Sequence, residues 1–315
     1  MYHKKILVTG GNGFIGSHIV DFLLGANFEV IVVDDLSTGE ASNLQRHANL
    51  EIYRTCLLDK LPEEKFIGVT CIMHFAANAD IRDGMKHSEK DIEQNILATE
   101  RVARLAINIG VKDIIFASTA AVMGEPDTFP TPETDAIKRQ TSLYGMSKLA
   151  AEGILSAYSL NYGLRVSVFR FVSIVGPRYS HGHIIDFVNK LNKNSNSLEI
   201  LGDGQQRKSY LHVSDLIEAI RLVLLTHSEE TESFFEIYNV GNDEYCTVTE
   251  SAKVICSALR VSPELCYAGG LRGWVGDSPF VHLDTAKLKG LGWKPKVQIF
   301  DAIRSTAFSL IESKS

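Results

Sequence analysis

The segment Tyr144-Gly145-Met146-Ser147-Lys148 sets a phenol and an ammonium four residues apart, which on a helix places both on one face. A phenol with an ordinary pKa near ~10 is a poor base at neutral pH, but a nearby positive charge favours the phenolate. The pair therefore suits removal of a proton from an alcohol. Ala150, Ala151, Ile154 and Leu155 continue the helical spacing, so the pair can be anchored in a core. Upstream, Ile114-Ile115-Phe116-Ala117-Ser118-Thr119 reads as a buried strand that ends in two hydroxyls. Ligands bind at the carboxyl ends of strands in open parallel sheets, so Thr119 is expected to share a substrate oxygen with Tyr144. Ser118 is more readily explained as a plain strand end.

A Tyr and a Lys at this spacing are common on helices, so the elements that would position them matter. Thr9-Gly10-Gly11-Asn12-Gly13-Phe14-Ile15-Gly16 follows the first strand and opens an amphipathic run through Ile19, Phe22 and Leu23. Strand, glycine turn and helix start together form a pyrophosphate cradle, with backbone amides and the helix dipole facing the anion. Asp34 closes the second strand about twenty residues on, where a carboxylate accepts from ribose hydroxyls and repels a 2′-phosphate. NAD is therefore expected rather than NADP, and its cationic ring would further favour the Tyr144 phenolate.

Short β-branched runs at 5–9, 29–34, 51–54, 71–75, 114–118 and 166–171 alternate with helical patterns. That alternation implies right-handed crossovers and an α/β fold with a doubly wound, Rossmann-like parallel sheet. The stretch 88–109 carries Ile92, Ile96, Thr99, Val102, Ala103 and Ala106 as a helical stripe against that sheet, with Asn95 inside it. Beyond Gly176 the alternation turns irregular: strands near 198–201, 210–213 and 236–240, helices near 214–225 and 249–259, and loops at 178–182 and 269–279. The expected division is a dinucleotide-binding domain over 1–176, with 209–240 returning to it, and a smaller C-terminal α/β substrate lobe over 177–315.

A net charge of −6 argues against a nucleic-acid partner, so an anionic ligand must be held by local cations such as Arg178, Lys208 and Arg272. The five cysteines, at 56, 71, 246, 256 and 266, show no C-x-x-C spacing and read as buried reduced thiols. His181-Gly182-His183 has no further ligand cluster beside it, so no metal is expected. No apolar stretch reaches the ~20 residues of a spanning helix, and no membrane partner is expected. The start of the chain lacks an export pattern, which points to the cytoplasm.

Gly10/Gly13/Gly16, Asp34, the Phe116–Thr119 strand end with Val122 and Gly124, and Tyr144/Lys148 together resemble the extended short-chain dehydrogenase/reductase family, specifically its nucleotide-sugar 4-epimerases. The resemblance runs on through Arg170–Arg178, Gly202–Gln206, Ser209–Asp215, Arg272–Asp277 and Leu291–Pro295. It implies Thr119, Tyr144 and Lys148 as catalytic residues. It implies cofactor contacts from Gly10, Gly13, Phe14, Ile15, Gly16, Asp34, Ser37, Thr38, Gly39, Leu57, Phe75, Ala76, Ala77, Asn95 and Ser118, with Tyr144 and Lys148 joining them. On the substrate side it implies Ser173, Arg178, His183, Lys208, Tyr210, Arg272 and Asp277. It also implies a homodimer through the helices near 88–109 and 143–161, and C4 epimerization of a UDP-hexose-type nucleotide sugar through a 4-keto intermediate.

Four positions depart from the family pattern: Cys56 replaces an aspartate near adenine, Met123 a tyrosine, Ser173 an asparagine and Lys208 an arginine. Lys208 keeps the charge but loses the bidentate fork. Ala120 and Ala121 stand where related 4,6-dehydratases and many decarboxylases carry acids. That favours hydride removal and return at one carbon. A dehydratase or keto-sugar reductase is the alternative, and a non-catalytic NAD sensor a more remote one.

Overall fold

The computed structural model describes residues 4–226 and 232–312. Residues 1–3, with which the expected first domain opens, lie outside that range, as do 227–231 and 313–315. In chain order the strands and helices begin β1 Lys5–Thr9, α1 Phe14–Gly25, β2 Glu29–Asp34, β3 Leu50–Arg54, β4 Cys71–His74, α2 Ile81–Lys86 and α3 Ser88–Asp91. A π-helix over Ile92–Leu97 leads into α4 Ala98–Asn108, β5 Asp113–Thr119, α5 Leu143–Tyr162 and β6 Arg165–Phe171. There follow β7 Ser173–Val175, α6 His183–Lys193, β8 Ser197–Ile200, β9 Arg207–Lys208, β10 Tyr210–His212, α7 Val213–Leu224 and β11 Phe234–Val240. The chain continues with β12 Cys246–Thr247, α8 Val248–Leu259, β13 Glu264–Tyr267, β14 Phe280–Val281, α9 Ala286–Gly290 and α10 Ile299–Glu312.

Seven strands form one sheet in the order β11-β6-β5-β4-β1-β2-β3. The order reverses between β1 and β4, both parallel neighbours, so the expected doubly wound architecture is present with its switch point beside the glycine turn. Ile6, Leu7, Val8 and Val30 to Val33 are all buried, as strands covered on both faces require. Alternate residues, among them Leu7, Ile31, Ile72, Ile114, Phe116 and Val166, share one core cluster with Val102 and Ala106 of α4 and Ala151 and Leu155 of α5.

The stripe expected over 88–109 is broken. Ile92 is 51% exposed, while Asp91 and Asn95 are buried. The π turn takes one residue more than an α turn, which rotates the phase by about 100° and carries Ile92 out of the stripe.

The chain divides into two compact units: Met1–Val122, Ser142–Arg170 and Ala219–Tyr238 form the first, and Met123–Thr141, Phe171–Glu218 and Asn239–Ser315 the second. The expected boundary near 176 is therefore corrected. The first unit ends at Arg170, 123–141 belongs with the second, and only 219–238 returns. The reason is visible within the second unit, where the Asn239 side-chain amide donates to Thr131 O at 2.9 Å, its backbone amide donates to Glu133 at 2.9 Å, and Phe129 stacks on Phe280. There, Trp293 donates its indole N–H to Asp215 O at 2.9 Å, and the Asp215 carboxylate accepts from Lys296 and Val297 amides. Those bonds explain the Leu291–Pro295 motif as a structural lock. Of the cysteines, Cys71, Cys246 and Cys256 are buried as expected, but Cys56 is half-buried and Cys266 exposed. Among the described residues no helix is long and apolar enough to cross a membrane, and no group of three His, Cys, Asp or Glu is placed to hold a metal ion.

Candidate active site

The glycine turn closes because three of its positions lack a side chain. A Cβ on Gly10, whose φ is 69°, would stand 2.5 Å from the Ala76 nitrogen, and one on Gly16 would stand 2.1 Å from Gly10 O. On Gly13 it would sit 3.2 Å from the same oxygen. Gly13 caps α1 without a side-chain bond, so the first-turn amides beside Phe14 and Ile15 face the ligand side. A dinucleotide pyrophosphate fits this cradle.

Asp34 is buried at the end of β2, with Oδ2 accepting from the Asn12 amide and Oδ1 from the Leu36 amide, each at 2.8 Å. Burial pushes its carboxyl up, and the two amides hold it down. Each oxygen keeps a lone pair for a ribose hydroxyl. Ser37 and Thr38 are exposed, and Gly39 packs so tightly on Asn12 that a Cβ would lie 2.9 Å from its carbonyl carbon. Leu57 is buried just after β3. Phe75, Ala76 and Ala77 follow β4 and are half-buried, with Ala76 against Gly10.

Thr119 at the end of β5 hydrogen-bonds the Tyr144 phenol. Ser142 caps α5 by accepting from the Gly145 amide at 3.0 Å, fixing where the helix starts and hence where Tyr144 points. Lys148, one turn on, is buried with its ammonium 4.2 Å above the Phe116 ring. The electrostatics differ from the sequence reading. Burial pushes the phenol up to about 12 against the Thr119 hydrogen bond, with Asp91 raising it further. Burial pushes the Lys148 ammonium down to about 7, opposed by Glu152. Desolvation therefore sets the direction of the phenol's shift.

Asn95 lies on the π turn, which aims its side chain inward. It donates to Ser147 Oγ at 2.8 Å and to Asn78 O at 3.2 Å, and accepts from the Asn78 amide at 2.9 Å. Ser147 in turn donates to Tyr144 O at 2.8 Å. Thr99 Oγ1 donates to Asn95 O at 2.6 Å and meets His74 Nε2 at 3.0 Å. His74 must then donate from Nε2, leaving Nδ1 to accept from Thr9 Oγ1 at 2.7 Å. Burial and the Lys148 charge push this imidazole down to about 3, so it is neutral. The chain of bonds links the strand before the glycine turn to the helix that carries Tyr144. Ser118, expected at the cofactor, donates its hydroxyl to Glu152.

Sequence reasoning missed His74, Asn78, Asp91, Ser147 and Glu152. The spacing of Glu152, four residues after Lys148, was a usable signal. A strand-end histidine carries none.

The residues expected at the substrate gather in the second unit. Lys208 Nζ donates to Asp277 Oδ1 at 2.6 Å and also to Ser278 O. Arg272 pairs with Glu125 and donates to Asp277 O at 2.7 Å, and Asp277 Oδ2 accepts from the Gly273 amide at 3.0 Å. His183 is spent structurally: its Nε2 lies 2.6 Å from Ser251 Oγ and its ring stacks on buried Tyr210 at 4.8 Å. Burial, with Lys208 nearby, pushes it down to about 3. Ser173 is exposed at the start of β7, opposite Tyr210, and Arg178 is half-buried in a left-handed conformation with φ 62°. Met123 is buried.

The model of the family described as "NAD dependent epimerase/dehydratase family" matches residues 6–241. A putative UDP-glucose 4-epimerase of Methanocaldococcus jannaschii is 32% identical, covering 95% of this chain and 96% of the relative. The structure of the Thermus thermophilus UDP-glucose 4-epimerase in complex with NAD is 33% identical, with a TM-score of 0.85 over 98% of this chain and 99% of the other. UDP-glucuronic acid decarboxylase 1 of Xenopus tropicalis is 28% identical, covering 96% of this chain and 71% of the relative. With a family model matched over three quarters of its length and a relative 32% identical along nearly all of it, this chain belongs to the NAD-dependent epimerase/dehydratase family.

Proposed function

We propose that the protein epimerizes a nucleoside-diphosphate sugar at C4, acting on UDP-glucose/galactose or their N-acetylated equivalents. The carrying observation is the Thr119–Tyr144 hydrogen bond beside buried Lys148, followed by Ala120 and Ala121 rather than an acid. Identity to named UDP-glucose 4-epimerases supports the substrate class.

Tyr144 takes the proton of the 4-hydroxyl, and Thr119 donates to that oxygen and holds it in line. Oxidised NAD held in the Gly10–Gly16 cradle would supply hydride acceptance and return at C4, and its positive ring would favour the phenolate against the burial that raises Tyr144. Lys148 holds the nicotinamide ribose. After the 4-keto sugar turns over, Tyr144 gives the proton back as hydride returns to the opposite face, so nothing is consumed. Asp34 accepts from the adenosine ribose, the amides of the Gly10–Gly16 turn hold the pyrophosphate, and Lys208 with Arg272 holds the substrate diphosphate. Two copies are inferred to pair through the helices near 88–109 and 143–161, where Ile92, Leu97, Leu143 and Met146 are exposed. Residence in the cytoplasm belongs to the same proposal, supported by the buried thiols.

The test is a substrate deuterated at C4, chosen from a screen of UDP-, GDP-, CDP- and dTDP-sugars. Retention of the deuterium in the epimer is expected. Label at C6 would identify a dehydratase, and label in free NADH a dehydrogenase; either overturns the epimerase reading.

A further inference from the structure

Glu152 lies one turn beyond Lys148 on α5, and the two residues are 3% and 2% exposed. Burying either charge is costly unless it finds a partner. Glu152 is clamped from two strands: Arg170 of β6 donates Nε to Oε1 at 3.0 Å and a terminal nitrogen to Oε2 at 2.7 Å, and Ser118 of β5 donates to Oε1 at 2.5 Å. Lys148 sits instead over the Phe116 ring. Phe116 and Ser118 share a face of β5, and Lys148 and Glu152 share a face of α5. Strand and helix thus present two matched pairs, Lys148 over Phe116 and Glu152 over Ser118.

We propose that Glu152 is a positioning residue for the reaction: clamped by Arg170 and Ser118, its carboxylate is the counter-charge that keeps Lys148 protonated beside Tyr144. This rests on the proposed roles of Tyr144 and Lys148. The groups around the ammonium come from several elements. His74 of β4 is neutral, Tyr144 and Glu152 lie on α5, Arg170 of β6 is bound to Glu152, and Asp91 of α3 acts on the phenol. Burial pushes the Lys148 ammonium down and Glu152 opposes it, leaving a midpoint of about 7, where a small loss of negative charge changes its protonation. Arg170 and Ser118 hold the carboxylate in place.

The experiment follows the lysine side chains of ¹³C-lysine-labelled holoenzyme by NMR against pH, with Lys148 assigned by Lys148→Arg, alongside the pH profile of kcat. Glu152→Gln is expected to lower the Lys148 midpoint by about one pH unit or more. The alkaline limb of kcat should move down equally, while KM changes less than about twofold. Glu152→Asp should fall between the two. Should Glu152→Gln not fold, Glu152→Asp, which draws the same charge back by one methylene, must still lower the midpoint. An unmoved midpoint, or a loss of turnover uniform across pH, overturns the proposal. A moved midpoint in a protein that epimerizes no nucleotide sugar would sustain the charge coupling and sink the reaction reading instead.

Discussion

Around Tyr144 the polar groups are bonded chiefly to one another inside a sheet-and-helix core, whereas around Lys208 and Arg272 they are bonded across a glycine-bearing loop to carboxylates on Asp277 and Glu125. The first arrangement is fixed by strand ends and a capped helix, so its geometry is set by the fold itself. The second holds two cations in ion pairs that an anionic ligand would have to replace or share. Preorganised donors act where charge develops in the transition state, and ground-state anchors contribute mostly to binding. The two regions should therefore answer mutation in different kinetic quantities.

The largest effect is expected from Tyr144→Phe, which removes the proton acceptor and the Thr119 partner but leaves the fold. Turnover should fall by roughly 10²–10⁴-fold or more while NAD still co-purifies. Loss of cofactor along with activity would mean that the phenol is a binding group and would break the comparison. Next is Asp34→Ala, which should weaken NAD by roughly 1.5–3 kcal/mol, read by titration of cofactor-depleted protein. Equal affinity of the wild type for NADP would refute the ribose role. A smaller change is expected for Lys208→Ala, with KM raised about tenfold and kcat altered less than about threefold, because an anchor remote from the reacting carbon gives nearly uniform binding. A collapse of kcat at constant KM would put Lys208 in the first class.

The smallest effect sharpens the comparison through stability. Lys148 has a folded pKa of about 7 against an ordinary 10.5, so between those values the unfolded chain binds more protons and stability rises with pH. That contribution is fully present above the ordinary value and is lost as pH falls toward about 7. Lys148→Met should thus raise Tm of the cofactor-depleted protein by a few degrees at pH 7, and by less at pH 10. No pH dependence of the difference would show that the ammonium is not desolvated. Lys208, ion-paired with Asp277, should give no such signature.

Legibility in the sequence followed the same division. The β1 to β6 strands were readable to within a residue at most ends, since runs such as Ile6–Val8 and Val30–Val33 are buried on both faces and nearly pure in β-branched residues. The glycine turn, Asp34 and the Tyr144/Lys148 pair were readable because each needs one residue type at one spacing. The helix α10 escaped, although Ile299, Ala302, Ile303, Thr306 and Leu310 keep its period, because Ala and Thr weaken the apolar signal. The two-residue strands β9, β12 and β14 exist by tertiary pairing alone, and no local pattern announces them. Bonds such as those of Ser118 to Glu152 and of His183 to Ser251 depend on which strand lies beside which helix, and a linear pattern does not carry that.

A π turn is an α-helix with one residue inserted, and it survives only where the extra residue is held. In Ile92–Leu97 the holding is done by the buried amide of Asn95, bonded to Asn78 and Ser147. Deleting Glu93 would let the backbone relax to a regular α period while leaving Ile92 on its exposed face, because removing the inserted residue keeps the flanking turns in phase. The same step would rotate the Asn95 position off Ser147 and unhook the bond chain that reaches Tyr144. A single codon here thus exchanges helix regularity against the Asn95 contacts, and a shortened variant should turn over more slowly than its parent.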